Sequence, residues 1–518
     1  MMPESTADGA AELPPISVYN TLSRSIEPLV PRVAGELGLY VCGMTTYADA
    51  HAGHARTYTT FDLLVRHLRA RGLEVNFVRN VTDVDDKILA RAKELGEEPL
   101  ALSARMSDAC DRDLREIGCG EPDVVPRVST HIPHIIALIE KLIARDSAYV
   151  VDGPEGRDVY FSVRKFNGYG KLSGRKVDDL LAGARIEVGD IKRDAFDFAL
   201  WKGAKPEAWG WQSPWGNGRP GWHIECSAMA GEYLGDDFDI HCGGMDLIFP
   251  HHENEIAQSE AASGKPFCRV WLHGGFLNVD KEKMSKSLGN FVTIRQLLER
   301  NDAEAIRYFL LGTHYRGPLG LDVEKQKGDR VVFPGLIEAE RRVDYMYSTF
   351  TALVDAAAGE AAAVDGTSPH AAIVREGQER VLGALDNDLN APQALAVLAD
   401  LAKAGNDLAL AVNRVKKDAA KHQKARAMAA AAAQSLRDAT GALGLMQAAP
   451  ETHAARTRTQ RLALRALEAA AIDAKIAARK AAREAKDFAK GDELRKELLD
   501  LGVEVLDRGV VTLWKIIA

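Results

Sequence analysis

The chain has 518 residues, enough for three or four domains at about 150 residues each, which excludes a single small binding module. A hydrophobic fraction of 46% beside 27% charged residues fits soluble globular proteins and argues against disordered, collagen-like and membrane classes. With 66 Lys and Arg against 74 Asp and Glu the formal charge is −8 at pH 7, so a polyanionic partner would have to meet a local basic surface.

Leu37 to Cys42 (LGLYVC) is a short apolar run closed by Gly43, and the following stretch places Phe61, Leu64, Val65 and Leu68 at helical spacing. Glu74 to Arg79 (EVNFVR) predicts a second strand, followed by TDVDDK and another helix, so a βαβ unit and a parallel sheet are favoured. Ligands of such sheets bind beyond the carboxyl ends of the strands, where the turn after Cys42 and the TDVDD segment both fall. Residues 141–217 read as an insertion with strands at 149–151 and 159–161, after which Asp237 to His241 (DFDIH) and Val270 to Leu272 supply the second half of the sheet. An Ala-rich helical bundle is expected over 341–445, with a low-complexity patch at 355–366 read as a mobile linker. The last part predicts a long basic helix, a helix over 488–501 and a final strand pair near Trp514. Residues 455–490 carry ten Lys or Arg against four Asp or Glu, which is either a solvated helix face or a polyanion-binding one.

Six cysteines, at Cys42, Cys110, Cys119, Cys226, Cys242 and Cys268, are too sparse for a disulfide framework. The N-terminal residues lack a basic then apolar leader, and no stretch approaches 18 consecutive apolar residues. A reducing cytoplasm without a membrane partner is the expected setting.

Three constellations carry chemistry. His51, Gly53 and His54 (HAGH) lie between the first strand and its helix, where backbone N–H groups and the helix dipole attract phosphate. Gly53 lets a flat base pack close to the backbone, although histidines at a helix start also serve as plain polar surface. Lys283 and Lys286 in KMSKS bring two ammonium groups to one anion on a movable loop, and five specified residues outweigh the reading as a charged surface loop. Cys42, Cys226, His251 and Glu255 form the third. His251 and Glu255 are spaced i, i+4 in HHENE after Pro250, so both point to one side. Two thiolates, an imidazole and a carboxylate suit zinc, while ordinary buried cysteines remain the competing reading.

Taken together, YVCGMTTYADAHAGH, RNVTDVDDK, PGWHIECSAMA, FDIHCGGMDLIFPHHENEIAQSE and VDKEKMSKSLGN resemble the cysteinyl-tRNA synthetases, which are class I aminoacyl-tRNA synthetases. The resemblance runs in order from about Val18 to His314 and continues more loosely into ALDNDLNAPQAL and AAREAKDFAKGDELRKEL. It implies an α/β fold, with a Rossmann-type parallel-sheet catalytic domain split by an insertion, then a helical bundle and a small mixed α/β C-terminal domain. The expected boundaries are 17–140 and 218–290 for the two catalytic halves, 141–217 for the insertion, 291–340 for a stem-contact helical region, 341–445 for the bundle and 451–518 for an anticodon-recognition domain.

The activity implied is ATP-dependent ligation of L-cysteine to its tRNA through cysteinyl adenylate, by a monomer holding one zinc and using magnesium ATP. His51, Gly53, His54, Lys283 and Lys286 then hold ATP, the two histidines and two lysines acting in catalysis, and Cys42, Cys226, His251 and Glu255 match the family's zinc ligands. Thr45, Thr82, Trp222, His241 and Asp246 are expected around the substrate cysteine. The family's HIGH reads HAGH here, placing Ala52 where an aliphatic residue is usual, and its HGGG reads His241-Cys242-Gly243-Gly244, which puts a stray thiol near the expected metal. An apolar pocket separates near-isosteres by only about 10 to 200-fold, so zinc, which prefers sulfur to a hydroxyl, is expected to read the substrate side chain. An insertion of about 75 residues is small for a hydrolytic sieve, and no editing is expected. One alternative is a homologous ligase that joins cysteine to an amino sugar; another is a non-catalytic RNA-binding protein that keeps zinc for folding. The basic C-terminal stretch favours tRNA over the sugar, and intact HAGH and KMSKS disfavour the second alternative.

Overall fold

The computed structural model describes residues 15–176, 191–280, 282–283, 291–326, 330–508 and 511–517. At its centre four strands form a wholly parallel sheet in the order Cys268–Gly274, Phe238–Gly244, Glu36–Val41 and Glu74–Arg79. Strand alternation divides Glu36–Val41 between two cores. Leu37, Leu39 and Val41 face one, while Tyr40 faces the other, so the strand is apolar on both sides. The helix Ala52–Ala70 crosses from the first strand to its neighbour and buries Phe61, Leu64 and Leu68, at the spacing expected of it.

The insertion builds its own antiparallel sheet from Ala148–Asp152, Arg157–Phe161, Phe198–Gly203, Trp211–Ser213 and Gly216–Pro220, the last two exchanged in spatial order. Its final strand ends one residue before the helix Trp222–Leu234, so the insertion feeds directly into the second catalytic half. It is tied to the parallel-sheet domain at two points. Lys202 and Arg219 converge on Asp86 at 2.6 and 2.9 Å, and Glu253 accepts the backbone N–H groups of Gly170, Leu172 and Ser173.

Four helices, Pro334–Ala357, Ala371–Asp386, Ala391–Arg414 and Ala419–Ala442, form the expected bundle. Its apolar face is continuous with one core of the parallel sheet, because Val343, Leu398 and Leu436 share that core with Leu39 and Phe77. The patch read as a mobile linker is held in place. Ala363 N–H donates to Ala427 O, and Arg426 donates to the carbonyls of Ala357 and Ala358.

The long basic helix expected near the C-terminus is two helices, Pro450–Leu464 and Ala469–Glu484. Ala466 takes a left-handed φ of 52° and Leu467 N–H returns to Leu462 O, a capping turn that ends the first helix. Part of the basic stretch also turns inward. Arg456 pairs with Asp302, Arg461 with Glu340 and Asp344, and Arg479 with Asp507. Arg461 and Arg479 are thereby withdrawn from the surface, whereas Arg456 stays exposed beside Asp302. The helix Phe488–Asp500 and the hairpin Val503–Arg508 with Val511–Ile516 complete a small core around Ile472, Leu498 and Val503. No helix among the described residues is long and apolar enough to cross a membrane.

Candidate active site

A cavity of about 410 Å³ opens at the carboxyl end of the parallel sheet, lined by Cys42, Thr45, His51, Gly53, His54, Trp222, Asp246 and the run Gly274 to Leu277, among others. The carboxyl end is where a parallel α/β sheet leaves room for ligands. Gly43 allows the two strand ends to meet there, because a Cβ on it would lie 1.7 Å from Asn80 O.

His51 is the N-cap of the crossover helix. Its Nδ1 accepts from the N–H groups of Gly53 and His54 at 3.1 and 3.3 Å, while His54 Nδ1 accepts from His51 N–H at 3.2 Å. This reciprocal capping stacks the two rings with centroids 3.7 Å apart. Burial, together with His51, holds His54 well below the usual histidine range, so its ring is neutral. With both Nδ1 atoms accepting, each ring presents its Nε2–H, the donor that a phosphate oxygen requires. Lys283 lies in the short strand Glu282–Lys283, opposite Asn278 of Leu277–Val279. Lys286 lies outside the described residues.

Beside this cavity four donor atoms converge. Cys42, at the end of its strand, meets Cys226 from the helix Trp222–Leu234 at 3.8 Å and Glu255 Oε1 at 3.6 Å. Glu255 Oε1 in turn lies 3.0 Å from His251 Nε2. The helical turn Ile248–His252 runs into the helix Glu253–Ser263, which brings His251 and Glu255 to one side as their spacing predicts. Ligand atoms of all four lie within 4.8 Å of one another. Tetrahedral ligands about 2.0–2.3 Å from a zinc ion stand roughly 3.3–3.8 Å apart, so the set fits that ion in chemistry and in spacing.

The charges agree. A hydrogen bond from Cys42 is the main influence holding the Cys226 thiol down at about 6, against its burial. Burial works against charge on His251 and Glu255, yet Glu255 and Cys226 hold His251 up at about 10, and His241 and His251 hold Glu255 down at about 2. A buried thiolate and carboxylate around one imidazolium form a set that a dication would match.

A second group, Cys42, His241, His252 and Glu255, also falls within 4.8 Å. Its histidines face the same donors, since His252 Nε2 lies 3.4 Å from Cys42 Sγ and 3.9 Å from Glu255 Oε1. His241 Nε2 lies 2.8 Å from Glu255 Oε2, and His252 Nδ1 lies 2.8 Å from His273 Nε2, whose Nδ1 meets Thr21 Oγ1 at 2.8 Å. Both rings are fully buried, whereas His251 packs on Trp222 at the cavity wall with centroids 4.5 Å apart. Of the two histidines adjacent in sequence, His251 packs on the cavity-lining Trp222, whereas His252 reaches Cys42 from the side of His273.

Thr45, Trp222 and Asp246 line the cavity, and Trp222 is 40% exposed. Thr82 and His241, both expected at the substrate, stand one layer back. Thr82 O accepts from Thr46 N–H and Thr82 pairs with Thr45, while Glu255 separates His241 from the opening. Cys242 is no stray thiol beside the donor cluster. Alternation along Phe238–Gly244 turns it to the opposite face of the sheet from His241, into the apolar core with Leu39. His223, whose Nδ1 is 2.9 Å from His251 Nδ1, and His273 were not singled out in the sequence. The WHIEC and LHGGF segments hold the only local trace of them, a histidine beside a glycine or an already chosen residue.

The two histidines at the helix start, the strand-end cavity and the split parallel sheet define a class I aminoacyl-tRNA synthetase fold. The family model described as "tRNA synthetases class I (C) catalytic domain" matches residues 28–328, and the "DALR domain" matches residues 380–447. Among solved structures, methionyl-tRNA synthetase of Mycobacterium tuberculosis with methionyl-adenylate aligns with a TM-score of 0.62 at 17% identity, covering 80% of this chain and 92% of that one. Among curated proteins, the cysteine–tRNA ligase of Anaeromyxobacter dehalogenans is 49% identical over 506 residues, 97% of this chain and 99% of that protein. The cysteine–tRNA ligase of Geobacter sulfurreducens is 45% identical over 508 residues, again 97% and 99%. The chain belongs to the cysteine–tRNA ligase family.

Proposed function

We propose that this chain activates L-cysteine with magnesium ATP as cysteinyl adenylate and passes the cysteinyl group to the terminal ribose of its tRNA. The observation that carries this reading is that Cys42, which gathers with Cys226, His251 and Glu255 in one donor cluster, also lines the cavity that holds His51 and His54. Zinc held by those four side chains would supply a soft Lewis acid that binds a sulfur far better than a serine hydroxyl.

The chain's own residues do the rest. Trp222 and Thr45 bound the space in which the substrate lies, and the Asp246 carboxylate faces it as a partner for the amino group. The Nε2–H donors of His51 and His54 meet the phosphates where charge develops, and Gly53 admits the adenine. Lys283 and Lys286 would neutralise the departing pyrophosphate, whose negative charge requires compensation away from water. Positioning and charge stabilisation suffice for this transfer, so no protein nucleophile is needed. The basic C-terminal helices provide a surface for tRNA once their inward-facing arginines are set aside. All six cysteines are free and buried, which suits a reducing compartment such as the cytoplasm.

The test is cysteine-dependent exchange of labelled pyrophosphate into ATP, followed by transfer to tRNA. Exchange with cysteine, none with serine, and acid-stable charging of tRNA are expected. Exchange without any transfer to tRNA would shift the reading to another acceptor, such as an amino sugar.

A further inference from the structure

Arg56, two residues after the second histidine of HAGH, is 1% exposed and contributes nothing to the cavity lining among the described residues. A guanidinium buried so fully ordinarily meets a carboxylate. This one meets carbonyls. Its nitrogens donate to the backbone oxygens of Gly275 at 3.3 Å, Leu310 at 3.4 Å, His314 at 3.1 Å, Tyr315 at 3.5 Å and Gly317 at 2.6 Å. Among the described residues its hydrogen bonds go to carbonyls and none to a carboxylate, and burial pulls it down to about 10. A cation kept at such desolvation cost without a counter-charge implies that the carbonyls it gathers must be held in one arrangement.

Four of those carbonyls belong to one seam, and the fifth, Leu310 O, to the helix Ala303–Leu311 just before it. Gly275 N–H donates to Tyr315 O at 2.7 Å, and Leu319 N–H to Phe276 O at 2.9 Å. Gly275 and Phe276 line the nucleotide cavity. The strand Leu277–Val279 grows straight out of the seam, pairing with Leu319–Leu321 on one side and with Glu282–Lys283 on the other. The turn at 314–317 is fixed from its far side by the bundle, where Asp388 accepts from Tyr315 Oη at 2.8 Å and from Arg316 Nε at 2.7 Å. The seam therefore has a fixed side and a side facing ATP, with Arg56 between them.

We propose that Arg56 is a positioning residue for adenylate formation: by clamping the Gly275–Gly317 seam to the HAGH helix, it sets the distance between the His51 and His54 donors and the root of the strand pair that carries Lys283. It acts through backbone carbonyls and touches no substrate. The proposal rests on the adenylate-forming reading above, since the two motifs need a fixed separation only if they grip one nucleotide. The guanidinium fork matters because an ammonium can serve at most three of the five carbonyls, and a methionine of similar volume serves none.

The test uses the full chain with Arg56→Lys and Arg56→Met, reading KM for ATP and KM for cysteine separately in pyrophosphate exchange, with calorimetric titration of ATP as a readout free of turnover. Arg56→Lys should raise the ATP KM about tenfold, Arg56→Met should raise it further, and the cysteine KM should stay within about twofold in both. Gly275→Ala reaches the same seam with Arg56 intact, because its Cβ would lie 2.4 Å from Gly317 O, and should raise the ATP KM alone as well. Lys and Met variants that behave alike, a parallel rise of both KM values, or an unchanged ATP KM in Gly275→Ala would each overturn the proposal. Should the wild type show no exchange while ATP titration still follows the order Arg, Lys, Met, the adenylate reading fails and the positioning role stands.

Discussion

The sulfurs of Cys42 and Cys226 lie 3.8 Å apart although 184 residues separate them in the chain. One comes from the end of a central strand and the other from the helix that follows the insertion, so the pair exists only when the two halves of the catalytic domain are assembled. The same assembly closes the cavity, which couples folding of the domain to formation of the donor set.

Cys226→Ser removes the thiolate that the Cys42 hydrogen bond stabilises. The variant should lose stoichiometric zinc by elemental analysis, and its KM for cysteine should rise by about 100-fold or more. ATP binding, which uses the other wall of the cavity, should change little.

His241 donates toward Glu255 from behind, at 2.8 Å. A residue that orients a metal-binding carboxylate typically contributes 10 to 100-fold in metal affinity, so His241→Gln should weaken zinc binding by about that factor in a competition titration with a chromogenic chelator. Excess zinc should restore cysteine-dependent exchange.

The capping and chemical roles of His51 separate by substitution. His51→Ala should cost about 1 kcal/mol of stability, read from denaturant unfolding, because the Gly53 and His54 N–H groups lose their acceptor. His51→Asn should restore most of that loss. Both should slow adenylate formation by about 100-fold, since neither presents an imidazole Nε2–H to a phosphate.

His67 on the crossover helix is buried 3.0 Å from Asp386 of the bundle. Burial outweighs Asp386 and lowers its pKa from 6.5 to about 4. Between those values the unfolded chain holds a proton that the folded chain refuses, so stability falls as pH drops through that window. His67→Gln should flatten the pH dependence of Tm between pH 6.5 and 4 relative to wild type. An equal slope in both proteins would assign the effect to other groups.

Local pattern made much of this molecule legible. The runs 37–42 and 74–79 read as neighbouring parallel strands and form at 36–41 and 74–79, and the i, i+4 spacing of His251 and Glu255 survives directly as a 3.0 Å approach. Long-range pairing was hidden. Arg461 reads as one more cation of a basic helix, yet its partners Glu340 and Asp344 are more than a hundred residues away. Nothing near Arg56 in sequence signals the five carbonyls that other segments bring to it. Adjacent histidines, such as His251 and His252, cannot be ranked by spacing. Both reach the donor cluster, His252 at Cys42 and His251 at Glu255, and the His273 contact behind His252 and the Trp222 contact beside His251 distinguish them.

The account depends most on the four-residue centre reading the thiol of the incoming amino acid. X-ray absorption at the zinc edge counts sulfur neighbours directly. Two sulfurs per zinc in the protein alone, three after adding cysteine and two after adding serine is the predicted result. An unchanged count with cysteine, in protein that still forms the adenylate with cysteine and not serine, would contradict it.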